Sequence, residues 1–124
     1  MDKMTDVELQ IMECIWFREV PVSPAEILSL LNERYGRNWT LQTLCTYLLR
    51  MAGKGYLKYQ KNHRQTLYTP LISEEEYFEF ATFDYTSFWG KGVLKRMAVG
   101  MVKRNQLSQE EVQDLRDYLD ELVR

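Results

Sequence analysis

Within the stretch Trp39 to Gly55, Gln42, Thr43, Thr46, Tyr47 and Arg50 recur at helical spacing, with Thr40 just ahead of them. A carboxamide, several hydroxyls and a guanidinium on one helix face can hydrogen-bond phosphate oxygens and base edges, and no carboxylate interrupts them. Leu41, Leu44, Cys45, Leu48, Met51 and Ala52 fall on the opposite face, so the helix has one side to bury and another to offer. That is the chemistry of a helix that reads a duplex. An ordinary amphipathic helix with a solvated outer face would carry the same stripe, so the flanking segments must separate the two readings.

Such a face needs a scaffold behind it and a phosphate-binding element beside it. After a stop at Gly55 come two strand-like runs, Tyr56 to Gln60 and Gln65 to Thr69, joined by Lys61-Asn62-His63-Arg64. A helix running into a basic-tipped hairpin is a winged helix-turn-helix, a mainly helical α+β architecture with a two-stranded wing. The net charge is -2, but its distribution is uneven. Between Glu33 and Glu74 there is no acidic residue, while Arg34, Arg37, Arg50, Lys54, Lys58, Lys61 and Arg64 all lie there. The expected DNA-binding set is Thr40, Gln42, Thr43, Thr46, Tyr47, Arg50, Lys54, Lys61, His63 and Arg64.

Upstream, a first helix over Asp6 to Arg18 turns Val7, Ile11, Cys14 and Ile15 inward, with Trp16 near its end. A second starts at Ser23 with Pro24 at its first helical position and ends near Tyr35-Gly36; its Ile27, Leu28, Leu30 and Leu31 face helices one and three. Gly36 to Trp39 make the short turn of a helix-turn-helix. Five helix starts carry a Ser or Thr cap, at Thr5, Ser23, Thr40, Ser73 and Ser108. Four place glutamate at the third helical position, Glu8, Glu26, Glu76 and Glu111, completing a capping box. Thr40 instead meets Thr43, which is either a chance substitution or the removal of a carboxylate from a phosphate-facing helix start.

Past Pro70 the composition changes, which divides the chain into a DNA-binding domain, 1–70, and a helical dimerisation region, 71–124. Residues 74 to 89 carry seven aromatics, Tyr77, Phe78, Phe80, Phe83, Tyr85, Phe88 and Trp89, too many for one helix face. A fifth helix from Gly92 to Arg104 and a sixth from Gln109 to Val123 add further apolar stripes. The sixth is too short to hold a coiled coil alone, so the three helices are expected to share an interface. The expected dimer contacts are Tyr77, Phe80, Phe83, Phe88, Leu94, Met97, Met101, Val112, Leu115, Leu119 and Leu122.

Trp39-Thr40, Thr43 to Met51 and Lys54-Gly55 resemble the pattern W-S-x-x-T-V-x-T-x-L-x-R-L-x-x-K-G of the penicillinase-repressor family of BlaI-, MecI- and CopY-type regulators. Thr5 to Met12 with Trp16, Tyr68 to Tyr77, and Leu107 to Leu115 extend the resemblance over nearly the whole chain. It implies a homodimeric repressor on double-stranded operators with dyad symmetry, often with TACA and TGTA half-sites, controlling a resistance or stress-response operon. It places DNA contacts on Thr40, Thr43, Thr46, Arg50, Lys61 and Arg64, and dimerisation in the C-terminal helices. The family's β-lactam branch is inactivated by a regulatory protease in the helix before the last, often at Asn-Phe; here that position is Gly100-Met101. The copper branch ends in a Cys-rich motif, and this chain has no cysteine after Cys45.

Other classes fit poorly. His63 is the sole histidine, and no triad, Cys-His pair or phosphate-cradling glycine pattern surrounds it, so no enzyme, cofactor or metal site is expected. Cys14 and Cys45 lie on inner helix faces as small core residues, a disulfide or metal pair being the alternative. No run approaches the roughly 18 apolar residues of a membrane span. The N-terminus lacks signal or transit features, so a cytoplasmic protein is expected. The rival function is a winged-helix protein-interaction module, whose docking surface would be apolar or mixed rather than basic.

Overall fold

The computed structural model describes residues 1–18 and 20–124. In chain order it contains α1 (Asp6–Phe17), α2 (Pro24–Tyr35), α3 (Leu41–Gly53), β1 (Leu57–Asn62), β2 (Gln65–Pro70), α4 (Glu74–Trp89), α5 (Val93–Lys103) and α6 (Gln109–Leu122). Two compact units divide it, Met1–Ala81 and Thr82–Arg124.

Local chemistry sets the helix starts. Thr5, Ser73 and Ser108 each accept from the backbone N–H three residues on, and Glu8, Glu76 and Glu111 reach back to the cap N–H. The box expected at Ser23 is incomplete. Ser23 accepts from the Glu26 N–H, but the Glu26 carboxylate meets Arg18 at 2.9 Å and the Ser23 hydroxyl instead of the cap N–H. The Ser73 bonds hold the Glu76 carboxyl below its ordinary value.

In the first unit, Ile11, Met12, Cys14 and Ile15 of α1 meet Ile27 and Leu31 of α2, Leu44, Leu48 and Met51 of α3, and Tyr56, Leu57 and Tyr68 of the wing. Val7, Leu28 and Leu30 pack at the edge of this core. Burial pushes the Cys14 thiol up to about 11, and both cysteines are free. Leu41 departs from the expected inward stripe: it is 46% exposed, because the core closes beneath Leu44, one turn further on.

The helix α3 ends in paired bonds, Gly55 N–H to Ala52 and Tyr56 N–H to Met51, with Gly55 at φ 90°. This left-handed cap suits glycine and turns the chain into the wing. The strands β1 and β2 pair antiparallel from Leu57 opposite Pro70 to Asn62 opposite Gln65. Lys61 and Asn62, expected in a four-residue connection, extend the ladder, so the turn is only His63-Arg64, with His63 at φ 61°. Val22 exchanges two bonds with Tyr68, of 2.9 and 2.8 Å, tying the segment before α2 to the wing.

The first unit runs past Pro70 because Tyr77 belongs to its core. The Met4 N–H donates to the Tyr77 hydroxyl at 2.8 Å, and Trp16 Nε1 donates to the Ile72 carbonyl at 3.0 Å. Tyr77, expected at the dimer contact, is 2% exposed, with its ring and hydroxyl both used inside one chain. Phe80 also packs against this core.

The second unit buries little. Phe83, Phe88, Leu94, Met97, Met101, Leu115, Leu119 and Leu122 are exposed, and α6 has no fully buried residue. Between α5 and α6 lies an apolar groove of about 420 Å³ lined by Ala98, Val99, Val102, Leu107, Val112, Leu115 and Leu119. Among the described residues, no helix is long and apolar enough to cross a membrane.

Candidate nucleic-acid interface

The helix α3 is oriented by its two ends. At its start, the Asn32 side chain on α2 accepts from the Trp39 N–H at 3.1 Å and donates to the Trp39 carbonyl at 3.3 Å, pinning the turn between the helices. Thr40 then caps α3 by accepting from the Thr43 N–H at 3.2 Å, and the two hydroxyls lie 3.0 Å apart. No carboxylate occupies the first turn, so the positive end of the helix dipole is unopposed there.

Gln42, Thr43, Thr46 and Arg50 are exposed on one face of α3. The Thr46 hydroxyl donates to the Gln42 carbonyl at 3.0 Å, so toward a base it offers an acceptor rather than the expected donor. Tyr47 is half-buried: its ring stacks on Trp39 with centroids 4.8 Å apart and planes at 27°. The Arg50 guanidinium lies 5.2 Å from the Tyr47 ring centre, while Arg37 sits 5.1 Å over Trp39. Contacts thus run in series from Arg37 to Trp39, Trp39 to Tyr47 and Tyr47 to Arg50. Arg37 is further tethered by donating from Nε to Gln10 at 2.7 Å.

Arg37 and Trp39 were absent from the expected site. The signal for them was the aromatic spacing: Trp39 stands just ahead of the Thr40 cap, and its stacking partner is Tyr47, two turns into the helix. Lys54 is the opposite case. Its ammonium meets the Glu8 carboxylate at 2.8 Å, so it ties the end of α3 to α1. The Glu8 side chain is 3% exposed; burial alone would raise its carboxyl, but the Lys54 and Thr5 bonds together carry it below the ordinary value.

Lys61, His63 and Arg64 are exposed on the wing. Between the wing and α3 runs a groove of about 510 Å³, with Leu41, Cys45, Leu49, Tyr59 and Tyr68 among its walls and Lys61 and Arg64 at the wing side. The unit thus offers a polar helix face and basic hairpin tip, flanking a less polar channel. Among the described residues, no cluster of three His, Cys, Asp or Glu could hold a metal.

The sequence matches the family model described as Penicillinase repressor over residues 4–121. It is 31% identical over 119 residues to the penicillinase repressor of Bacillus licheniformis, spanning 96% of this chain and 91% of that protein. It is 22% identical over 119 residues to the methicillin resistance regulatory protein MecI of Staphylococcus aureus strain N315, spanning 95% and 94% respectively. The solution structure of the DNA binding domain of the repressor BlaI matches with a TM-score of 0.50 and 34% identity, over 60% of this chain and 87% of that one.

Proposed function

The chain belongs to the penicillinase-repressor family, and on that premise we propose that it is a DNA-binding transcriptional repressor acting in the cytoplasm as a homodimer on dyad-symmetric operators. The observation that carries this reading is the carboxylate-free outer face of α3, Thr40 to Arg50, in one unit with the basic wing tip. Gln42, Thr43, Thr46 and Arg50 would enter the major groove, where hydroxyl, carboxamide and guanidinium groups distinguish base pairs. Lys61, His63 and Arg64 would lie along the backbone, supplying salt-dependent attraction and little sequence preference. Arg37 joins them as a phosphate contact, and Lys54 leaves the set.

One such unit makes few contacts. The exposed apolar side chains of Thr82–Arg124 and the carbon-lined groove between α5 and α6 support a second copy as the occupant. Linking two DNA-binding units makes the second half-site encounter intramolecular, worth roughly 10²- to 10⁴-fold when the spacing fits. A regulatory protease cutting at or near Gly100-Met101 in α5 would part α6 from the DNA-binding unit and relieve repression. The reading assigns no catalytic step, cofactor or metal.

The test is selection of a duplex from a pool with a randomised core, followed by footprinting and sedimentation of the complex. A palindromic winner protected symmetrically by two chains supports the reading. A pool that gains no preferred sequence, or a footprint without symmetry, overturns it.

A further inference from the structure

An exposed arginine on a helix surface samples many rotamers, and base recognition requires it to settle into one. Arg50 is not left to do this alone. Its guanidinium lies 5.2 Å over the Tyr47 ring, that ring stacks at 4.8 Å and 27° on Trp39, and the Trp39 backbone is pinned by two bonds to Asn32. The contacts therefore pass from a fixed backbone through two rings to the cation, with Arg37 also 5.1 Å over the Trp39 ring.

We infer that Tyr47 is a positioning residue for sequence discrimination: clamped by Trp39, its ring seats the Arg50 guanidinium before DNA arrives. Arg50 then meets the duplex as a preset fork, the geometry that donates to guanine O6 and N7 together in the major groove. Tyr47 itself need touch no base. The inference rests on the DNA-binding reading above and adds the device that gives one of its cations specificity instead of general phosphate attraction.

The test compares wild type with Tyr47→Phe, which keeps the ring, and with Tyr47→Leu and Tyr47→Gln, which remove it, each alone and with Arg50→Ala. The probes are the duplex won from the randomised pool by the wild-type protein and a shuffled duplex of equal composition; the readout is the ratio of their affinities. Removing the ring should lower that ratio about two- to fivefold, the range expected of a cation–π contact at an exposed site. Affinity for the selected duplex should fall more than affinity for the shuffled one, Tyr47→Phe should restore the ratio, and with Arg50→Ala the ring should make no difference. Nitrogen relaxation at Arg50 Nε in the free protein should show order in wild type and Tyr47→Phe that is lost in Tyr47→Leu. An equal loss with and without Arg50, or equal weakening on both duplexes, would make Tyr47 a packing residue and overturn the inference. A wild-type protein that enriches no sequence overturns the DNA-binding reading itself, and this inference with it.

Discussion

Replacing Lys54 by Met separates a cation that holds the fold from one that meets phosphate. The Lys54 ammonium lies 2.8 Å from a Glu8 carboxylate that is 3% exposed, while Lys54 itself is 40% exposed. Another Glu8 oxygen accepts from the Thr5 N–H at 2.9 Å, so removing the ammonium leaves the carboxylate half paired. Breaking a fully buried pair costs about 3–5 kcal/mol. The retained Thr5 bond and the solvent already around Lys54 reduce this to about 1–3 kcal/mol. For a unit of this size that lowers Tm by about 5–20 °C.

The pH dependence has a definite sign. The folded carboxyl lies below its ordinary value of 4.5, so its contribution is present above 4.5 and is lost as pH falls through the folded value. In Lys54→Met the buried carboxyl loses its lowering partner, so its protonation begins at higher pH and the gap to wild type narrows in acid. Urea unfolding at neutral pH and below 4.5, beside a salt titration of duplex binding, measures both effects. The salt slope should not change. A variant of full stability that loses about one unit of slope per half-site would place Lys54 on phosphate and refute the argument.

Arg64→Ala on the wing should weaken binding to every duplex alike and reduce the salt slope by about one unit per half-site, with Tm unchanged; relaxed specificity at constant slope would mean the wing reads bases. Thr43→Glu should complete the missing capping box, so thermal stability should hold or rise while duplex affinity falls roughly tenfold or more, as read by anisotropy. Normal affinity would show that the helix start stands clear of phosphate. A fragment ending at Gly100 should sediment as a monomer and lose roughly 10²- to 10⁴-fold on a palindromic duplex. If it stays dimeric at full affinity, α6 does not hold the dimer.

Features with local causes were legible in the sequence. The caps at Thr5, Ser73 and Ser108 depend on residues three apart, and Gly55 ends α3 because its own N–H and that of Tyr56 fold back on Ala52 and Met51 through a left-handed residue. The box at Ser23 failed because Glu26 found Arg18, a partner eight positions away that no local pattern signals. The surplus of aromatics in α4 was visible as a count, but not which of them the first unit would keep. Tyr77 went to the core because the Met4 N–H, 73 positions earlier, needed an acceptor. The Lys54 ion pair was hidden for the same reason: in sequence Lys54 stands in an acid-free stretch, while in space it meets Glu8, 46 positions away.

That pairing has a consequence for recognition. With Lys54, just past the end of α3, paired to α1, Arg50 is the one basic side chain of α3, and the Tyr47 ring rather than a carboxylate lies against it. A carboxylate would have to be desolvated and parted from Arg50 when DNA binds, whereas a ring face holds the guanidinium and leaves its N–H groups available. The absence of acids from Glu33 to Glu74 and the stack from Trp39 to Tyr47 are thus one arrangement: a cation kept in place without being neutralised.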